Sequence, residues 1–274
     1  MTYAEAVDIL RGAGIDSPEV DARLIFAAYT GARYPDLRLI HSDSEELISA
    51  VRRRQSREPL QYILGRVGFY REEYRVSPAC LIPRPDTEHL VDFAVRHIPR
   101  GELFLDLCTG SGCVAVSTLC NTRDTRAVAV DLSRDALDIA EQNADGNGVL
   151  SRCEFRRIDL MSSGEELAEL KPYAVLSNPP YISREAYSAL EPEIFAEPEM
   201  AFVGGEDGGD FYRRLLPLSL SLIKPEGFVA FEIGYDQQGL AEELAEMHGC
   251  RLQVIRDYGS NPRVAVFRRA RPLT

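Results

Sequence analysis

From about residue 84 to residue 268, short apolar runs of strand length alternate with stretches patterned as helices. That alternation is the signature of a parallel sheet covered by crossover helices, and it predicts an α/β fold. The strand candidates are Leu103–Leu107, Ala127–Val130, Cys153–Arg157, Ala174–Leu176 and Phe228–Ile233. Helical segments fall at Arg134–Asn143, Phe211–Ile223 and Gly239–His248, and Leu252–Tyr258 with Arg263–Arg268 reads as a closing antiparallel pair. In open sheets of this kind ligands bind outside the carboxyl ends of the strands, so the residues just after each strand are the first places to look for chemistry.

The region before this has a different character. Tyr3–Arg11 is patterned as a helix that ends at Gly12 and Gly14, and a second helix starts at Ser17 with Pro18 in its first turn. On that second helix Leu24, Ile25 and Ala28 are expected to share the buried face; a third helix is placed at Asp43–Arg57, with Leu47, Ile48 and Val51 inward. Its basic run Arg52–Arg54 reads as a solvated face. Alternating aromatic and polar residues in GFYREEYRV then predict a short hairpin, closed off by prolines. The expected organisation is a helical domain over 1–70, a hairpin linker over 71–83 and a catalytic domain over 84–274.

Charge narrows the partners. With 43 acidic and 31 basic residues the net charge is −12, which repels long nucleic acid unless a local patch overrides it. No apolar stretch approaches membrane-spanning length, and the start, rich in acidic residues, lacks a signal-peptide core, so a cytoplasmic protein without membrane contact is expected. The six cysteines form neither a CxxC pair nor a Cys/His cluster; free thiols are expected, with no metal site.

The segment Phe104-Leu-Asp-Leu-Cys-Thr-Gly-Ser-Gly112 puts an acid and two glycines directly after a strand, where the chain must turn into a helix. Such a turn alone is equally compatible with a tight connection or a nicotinamide site. The ordered series Asp106, Asp131, Asp159 at three successive strand ends is more informative, although each can also serve as a helix cap. Asp106 is suited to the cationic amino-acid end of a sulfonium cofactor and Asp131 to its ribose hydroxyls. Asp159 is suited to the adenine amino group, with Leu160 against the ring.

The catalytic signal is Ala174-Val-Leu-Ser-Asn-Pro-Pro-Tyr181, an apolar strand that runs into a rigid double-proline turn. A planar amide or aromatic amine is a poor nucleophile because its lone pair is delocalised, so it must be held in the correct orientation. The Asn178 side-chain oxygen and the Pro179 carbonyl can accept both hydrogens of a target NH2, with Pro180 stiffening the turn and Tyr181 packing on the planar face. Arg84, Pro85 and Glu88 are candidates for substrate contact, against a purely structural role at the start of a helix.

With these blocks in view, the chain resembles the HemK/PrmC family of release factor glutamine N5-methyltransferases over nearly its whole length. The resemblance rests on Arg57–Gly65 (REPLQYILG), Leu81–Glu88 (LIPRPDTE), Asp106–Gly112, Asn178–Tyr181 (NPPY), and Glu191-Pro192-Glu193 followed by Gly204–Gly209. It implies a seven-stranded Rossmann-like methyltransferase domain behind an N-terminal helical recognition domain, with S-adenosyl-L-methionine as donor and S-adenosyl-L-homocysteine as product. The implied substrate is the glutamine of the Gly-Gly-Gln motif in class I peptide chain release factors, whose methylation modulates translation termination. By the same resemblance Asn178, Pro179, Pro180 and Tyr181 grip the glutamine, while Cys108, Thr109, Gly110, Ser111, Gly112, Asp131, Leu160 and Asn178 touch the cofactor. Cys108 stands where the family usually has glycine, Leu160 where some members carry an aromatic, and Arg71 at a usual glycine of the hairpin. The competing readings are a DNA adenine N6-methyltransferase, disfavoured by the acidity, and a non-catalytic cofactor-binding protein.

Overall fold

The computed structural model describes residues 1–33 and 36–270. They divide into two compact units. One comprises Met1–Val67 together with Glu191–Glu197; the other comprises Gly68–Leu190 and the chain from Pro198 onward. The inclusion of Glu191–Glu197 in the first unit has no counterpart in the sequence expectation. No helix among the described residues is long and apolar enough to cross a membrane.

The first unit is built from α1 (Tyr3–Gly12), α2 (Pro18–Thr30), α3 (Glu45–Gln55) and the short α4 (Leu60–Leu64). Thr2 caps α1 in a reciprocal box with Glu5, and Ser17 precedes Pro18 at the start of α2 as the sequence suggests. The core holds Leu10, Ile25, Phe26, Leu47 and Val51. Each such side chain contributes roughly 1.5–3 kcal/mol on burial. The buried face of α2 differs from expectation: Ala22, Ile25 and Phe26 point inward, whereas Leu24 and Ala28 are exposed. Its apolar arc is wider than the face the neighbouring helices cover, and the i, i+3, i+4 set 22/25/26 wins. Ile48 is likewise only half-buried, Ala50 taking the inward place. The basic run is also not uniformly solvated, because Arg54 is buried. It donates from Nε to Asp21 Oδ2 (2.7 Å), its Nη1 lies 3.2 Å from Glu193 Oε1, and Arg57 Nη2 is 2.9 Å from Glu193 Oε2. Removing one member of such a buried set typically costs about 3–5 kcal/mol.

A two-stranded hairpin, β1 (Arg66–Phe69) and β2 (Glu72–Arg75), follows. Its left-handed residue is Tyr70 (φ +57°), not Arg71. Glu88 Oε1 holds the turn by accepting from the Tyr70 amide at 2.8 Å.

The second unit carries α5 (Glu88–His97), β3 (Leu103–Leu107), α6 (Cys113–Cys120), β4 (Arg126–Asp131), α7 (Arg134–Gly146), β5 (Cys153–Arg157), β6 (Ala174–Ser177), α8 (Arg184–Tyr187), α9 (Asp210–Leu222), β7 (Phe228–Glu232), α10 (Gln238–Met247), β8 (Cys250–Arg256) and β9 (Pro262–Arg269). Seven strands form one sheet in the order β5-β4-β3-β6-β7-β9-β8. The pairs from β5 to β7 are parallel; β9 runs antiparallel to both β7 and β8. The central strands β6 and β7 are buried along their whole length, which is why they read as continuous apolar runs rather than alternating ones.

Candidate active site

The chain runs outward from β3 through β4 to β5, then returns to place β6 on the other side of β3. That reversal opens a crevice at the carboxyl ends of β3, β4 and β6. The Ser177 hydroxyl donates to the Leu107 carbonyl at 2.6 Å and fixes the two strand ends side by side. The cleft is lined by Cys108, Gly110, Asp131, Leu160, Asn178 and Pro180, among others.

The loop after β3 is held from within. Asp106 Oδ2 accepts from the Thr109 hydroxyl (2.5 Å) and the Ala115 amide (3.0 Å), tying the turn to the start of α6. Its Oδ1 is buried and has no partner among the described residues. Burial pushes this carboxyl up to about 7, against the two hydrogen bonds that favour its ionised form. Of the loop residues only Cys108 and Gly110 reach the cleft. Thr109 and Ser111 are buried in the scaffold; the Thr109 amide donates to the Val130 carbonyl, and the Ser111 carbonyl accepts from Asn143 Nδ2. Gly112 is left-handed (φ +80°), and a β-carbon there would stand 2.9 Å from Ala140 Cβ. Cys108 adopts the same left-handed backbone at φ +58°, a conformation that glycine takes without steric penalty.

Asp131 lines the cleft, its Oδ2 accepting from the Gly110 amide (2.8 Å) and Oδ1 from the Ser133 amide (2.9 Å). Burial raises its pKa. Asp159 also lines the cleft, with Oδ1 accepting from the Met161 amide (3.0 Å) and Oδ2 from the Ser162 hydroxyl (2.8 Å). Each of these oxygens retains a further lone pair for a ligand. Leu160 forms an apolar wall, its carbonyl held by Arg214 Nε at 3.0 Å.

At the end of β6, Asn178 faces the cleft and donates from Nδ2 to Thr87 Oγ1 at 3.1 Å. Pro179 and Pro180 are buried, and Pro180 lines the cleft while Pro179 does not. The Tyr181 hydroxyl donates to Glu232 Oε1 at 3.2 Å, so this ring is anchored at its tip as well as at its backbone. Gln237 Nε2 donates to the Tyr181 carbonyl at 2.9 Å. The glycine-rich segment 204–209 packs directly on this turn: a β-carbon on Gly208 (φ +78°) would lie 2.2 Å from the Tyr181 carbonyl oxygen. Arg84, Pro85 and Glu88 do not line the cleft, and Glu88 serves the hairpin turn described above.

Two residues escaped the sequence reading. Thr87 sits inside the LIPRPDTE block and reads only as a candidate helix start, and Glu232 is an acid hidden in a wholly buried strand. A charge near the end of such an apolar run is the one signal that could have found it.

The cleft fits a sulfonium nucleoside amino acid. The Asp131 carboxylate matches vicinal hydroxyls, and Leu132, Ile158 and Leu160 offer an apolar bed for a flat ring, whereas Asp106, at 1% exposure, does not line the cleft.

Comparison with known proteins agrees with this geometry. The family profile described as PrmC N-terminal domain matches residues 2–65, and that described as methyltransferase small domain matches residues 87–205. A release factor glutamine methyltransferase of Caulobacter vibrioides is 34% identical over 96% of this chain and 94% of its own. Its counterpart in Moorella thermoacetica is 35% identical over 94% of each, and that of Koribacter versatilis 34% identical over 98% of this chain and 99% of its own. Among solved structures, the ribosomal protein L11 methylase of Lactobacillus delbrueckii subsp. bulgaricus superposes with a TM-score of 0.51 at 19% identity, over 72% of this chain and 86% of that one. The hMettl16 catalytic domain does so with a TM-score of 0.57 at 13% identity, over 90% and 94%. Those two likenesses speak for the fold alone. Identity of about a third, sustained from the N-terminal helices to the last strand, goes further than the fold, and on it the chain belongs to the release factor glutamine methyltransferase family.

Proposed function

We propose that this chain transfers a methyl group from S-adenosyl-L-methionine to the side-chain amide nitrogen, N5, of the glutamine in the Gly-Gly-Gln motif of class I peptide chain release factors, modulating termination in the cytoplasm. The observation that carries this reading is the orientation of Asn178. Its Nδ2 donates to Thr87, which leaves Oδ1 as a free acceptor on a residue that lines the cleft. Oδ1 and the Pro179 carbonyl together can take both hydrogens of a primary amide, aiming its nitrogen into the cleft.

When bound, the cofactor supplies a methyl group already activated by the sulfonium charge, so the protein's task is positioning. The Asp106 loop and Asp131 hold the cofactor's polar ends, Leu160 excludes water from the ring, and Asn178 with Pro179 orients the amide. Positioning of this kind contributes roughly 7–11 kcal/mol in favourable cases. The aromatic amine of adenine poses the same problem, but the net charge of −12 opposes a duplex. Labelled-methyl transfer to purified release factor, to duplex DNA and to no acceptor tests the reading: label in the release factor alone supports it, label in DNA overturns it.

The N-terminal helical unit is assigned to recognition of a release factor surface away from the glutamine loop, a second linked contact that raises the effective concentration of the first. Removing residues 1–70 is expected to leave S-adenosyl-L-methionine binding largely intact and to lower methylation efficiency on intact release factor sharply. Folding of the truncated chain is verified first by circular dichroism. Equal efficiency of the folded truncated and full-length enzymes would assign recognition to the catalytic unit alone.

A further inference from the structure

Asn143 lies on α7, is 2% exposed, and does not line the cleft. Its side chain is nonetheless fully engaged. Oδ1 accepts from the Arg75 amide at 2.7 Å, while Nδ2 donates to the Arg75 carbonyl at 3.0 Å and to the Ser111 carbonyl at 2.9 Å. One buried side chain therefore joins the main chain of β2 to the main chain of the loop that follows β3.

The orientation of this amide follows from counting hydrogens. The Arg75 amide can only donate and the two carbonyls can only accept, so Oδ1 must face the first and both Nδ2 hydrogens the others. Toward β2, Asn143 stands in for a neighbouring strand, because the outer edge of a two-stranded sheet otherwise leaves its main-chain groups without partners. Asn147, which caps α7, continues the pairing by donating from Nδ2 to the Glu73 carbonyl at 3.1 Å. Tyr74, wholly buried on the other face of β2, reaches α6: its hydroxyl lies 2.6 Å from Ser117 Oγ and donates to the Cys113 carbonyl at 3.3 Å. The strand is thus fastened to both α6 and α7.

Closing a strand edge needs only the bonds to Arg75 and Glu73. The remaining Nδ2 hydrogen goes to Ser111, and that bond reaches the cofactor site. Ser111 stands between Gly110, which lines the cleft and gives its amide to Asp131 Oδ2 at 2.8 Å, and Gly112, where a β-carbon would meet Ala140 on the same helix as Asn143. We infer that Asn143 is a positioning residue for the cofactor: by tying the Ser111 carbonyl to β2 it sets where Gly110 and Asp131 stand in the cleft. The stretch read as a linker thereby helps to hold S-adenosyl-L-methionine, through the main chain of Arg75 and not through its side chain. This inference rests on the cofactor assignment and is independent of the methyl acceptor.

The test titrates the full-length chain with S-adenosyl-L-methionine by calorimetry, after circular dichroism has verified folding. Asn143→Leu keeps the branched shape and removes every one of these bonds, so it is expected to weaken cofactor binding by about tenfold. Asn147→Ala, which loses a bond to β2 but none to the loop, is expected to lower thermal stability and keep wild-type affinity. Arg75→Ala leaves the main-chain bonds in place and is expected to bind as the wild type does. Wild-type affinity in Asn143→Leu, or an equal loss in Asn147→Ala, would overturn the positioning role. Should Asn143→Leu fail to fold, hydrogen exchange in the wild type decides. Binding of S-adenosyl-L-methionine is expected to slow exchange of the Arg75 amide, which lies outside the cleft, more than that of the β8 amides at the far edge of the sheet. Equal slowing at both would contradict the coupling. A further readout needs no ligand: the Gly110 amide should exchange faster in Asn143→Leu than in the wild type. Unchanged exchange there overturns the inference, whereas faster exchange in a chain whose wild type binds no S-adenosyl-L-methionine would sink the cofactor assignment and leave the hold on the loop standing.

Discussion

Asn178 and Thr87 meet through a hydrogen bond of 3.1 Å although 91 residues separate them in sequence. The bond occupies the Asn178 amide nitrogen and leaves its oxygen as the acceptor on a residue that lines the cleft. Truncating that side chain removes the acceptor while leaving the prolines and the cofactor loop in place. Asn178→Ala is expected to lower turnover by on the order of 10²-fold or more, measured with saturating cofactor and release factor. Near-normal turnover would remove Asn178 from its central position.

The close approach of Gly208 to the turn yields a second expectation. A β-carbon at that left-handed position would stand 2.2 Å from the Tyr181 carbonyl oxygen and 3.0 Å from Gln237 Nε2, the very group that holds that carbonyl. Gly208→Ala is expected to cost about 2–4 kcal/mol, combining the left-handed penalty with displacement of backbone. Turnover should fall more than cofactor affinity, because the disturbance enters through Tyr181 rather than through Asp106 or Asp131. Denaturant unfolding and calorimetric titration separate the two effects; an unchanged midpoint with full activity would contradict this packing.

Much of this architecture was legible in the chain, and what was missed shares a cause. Leu103–Leu107 and Cys153–Arg157 were read at their observed bounds because an apolar run followed by a loop has a local signature. The reversal of strand order also leaves a trace, in the form of acids and an asparagine at successive strand ends. Thr87 and Glu232 leave only a weak one, since each meets its partner, Asn178 or Tyr181, far along the chain. Glu193 is a similar case: its arginines, Arg54 and Arg57, lie 139 and 136 residues away, and no periodicity encodes an ion pair of that span. The misplaced face of α2 shows the opposite limit, where Leu24 fits the pattern yet no neighbouring helix covers it.

Two buried carboxyls give stability a pH dependence of defined sign. Asp106 and Glu232 are each raised to about 7 by burial, from ordinary values of 3.8 and 4.5. Between those limits the folded chain holds protons that the unfolded chain releases. The stability these groups contribute is therefore fully present below their unfolded values and is lost as pH rises through about 7. Scanning calorimetry of the ligand-free protein should show Asp106→Asn, relative to wild type, gaining on the order of a few kcal/mol between about pH 5 and about pH 8. A difference that stays constant across that range would contradict the assignment of Asp106 as a carboxyl strained by burial.

The central claim, that the cleft methylates a glutamine side-chain amide, is tested most directly by mapping the product. Purified release factor is incubated with the full-length chain and S-adenosyl-L-methionine, digested, and sequenced by mass spectrometry. The account expects one added methyl group, on the side-chain nitrogen of the glutamine in the Gly-Gly-Gln motif, and none when Asn178→Ala replaces the wild type. A methyl group found on any other residue, or an unmodified release factor under conditions where the wild-type chain binds the cofactor, would contradict it.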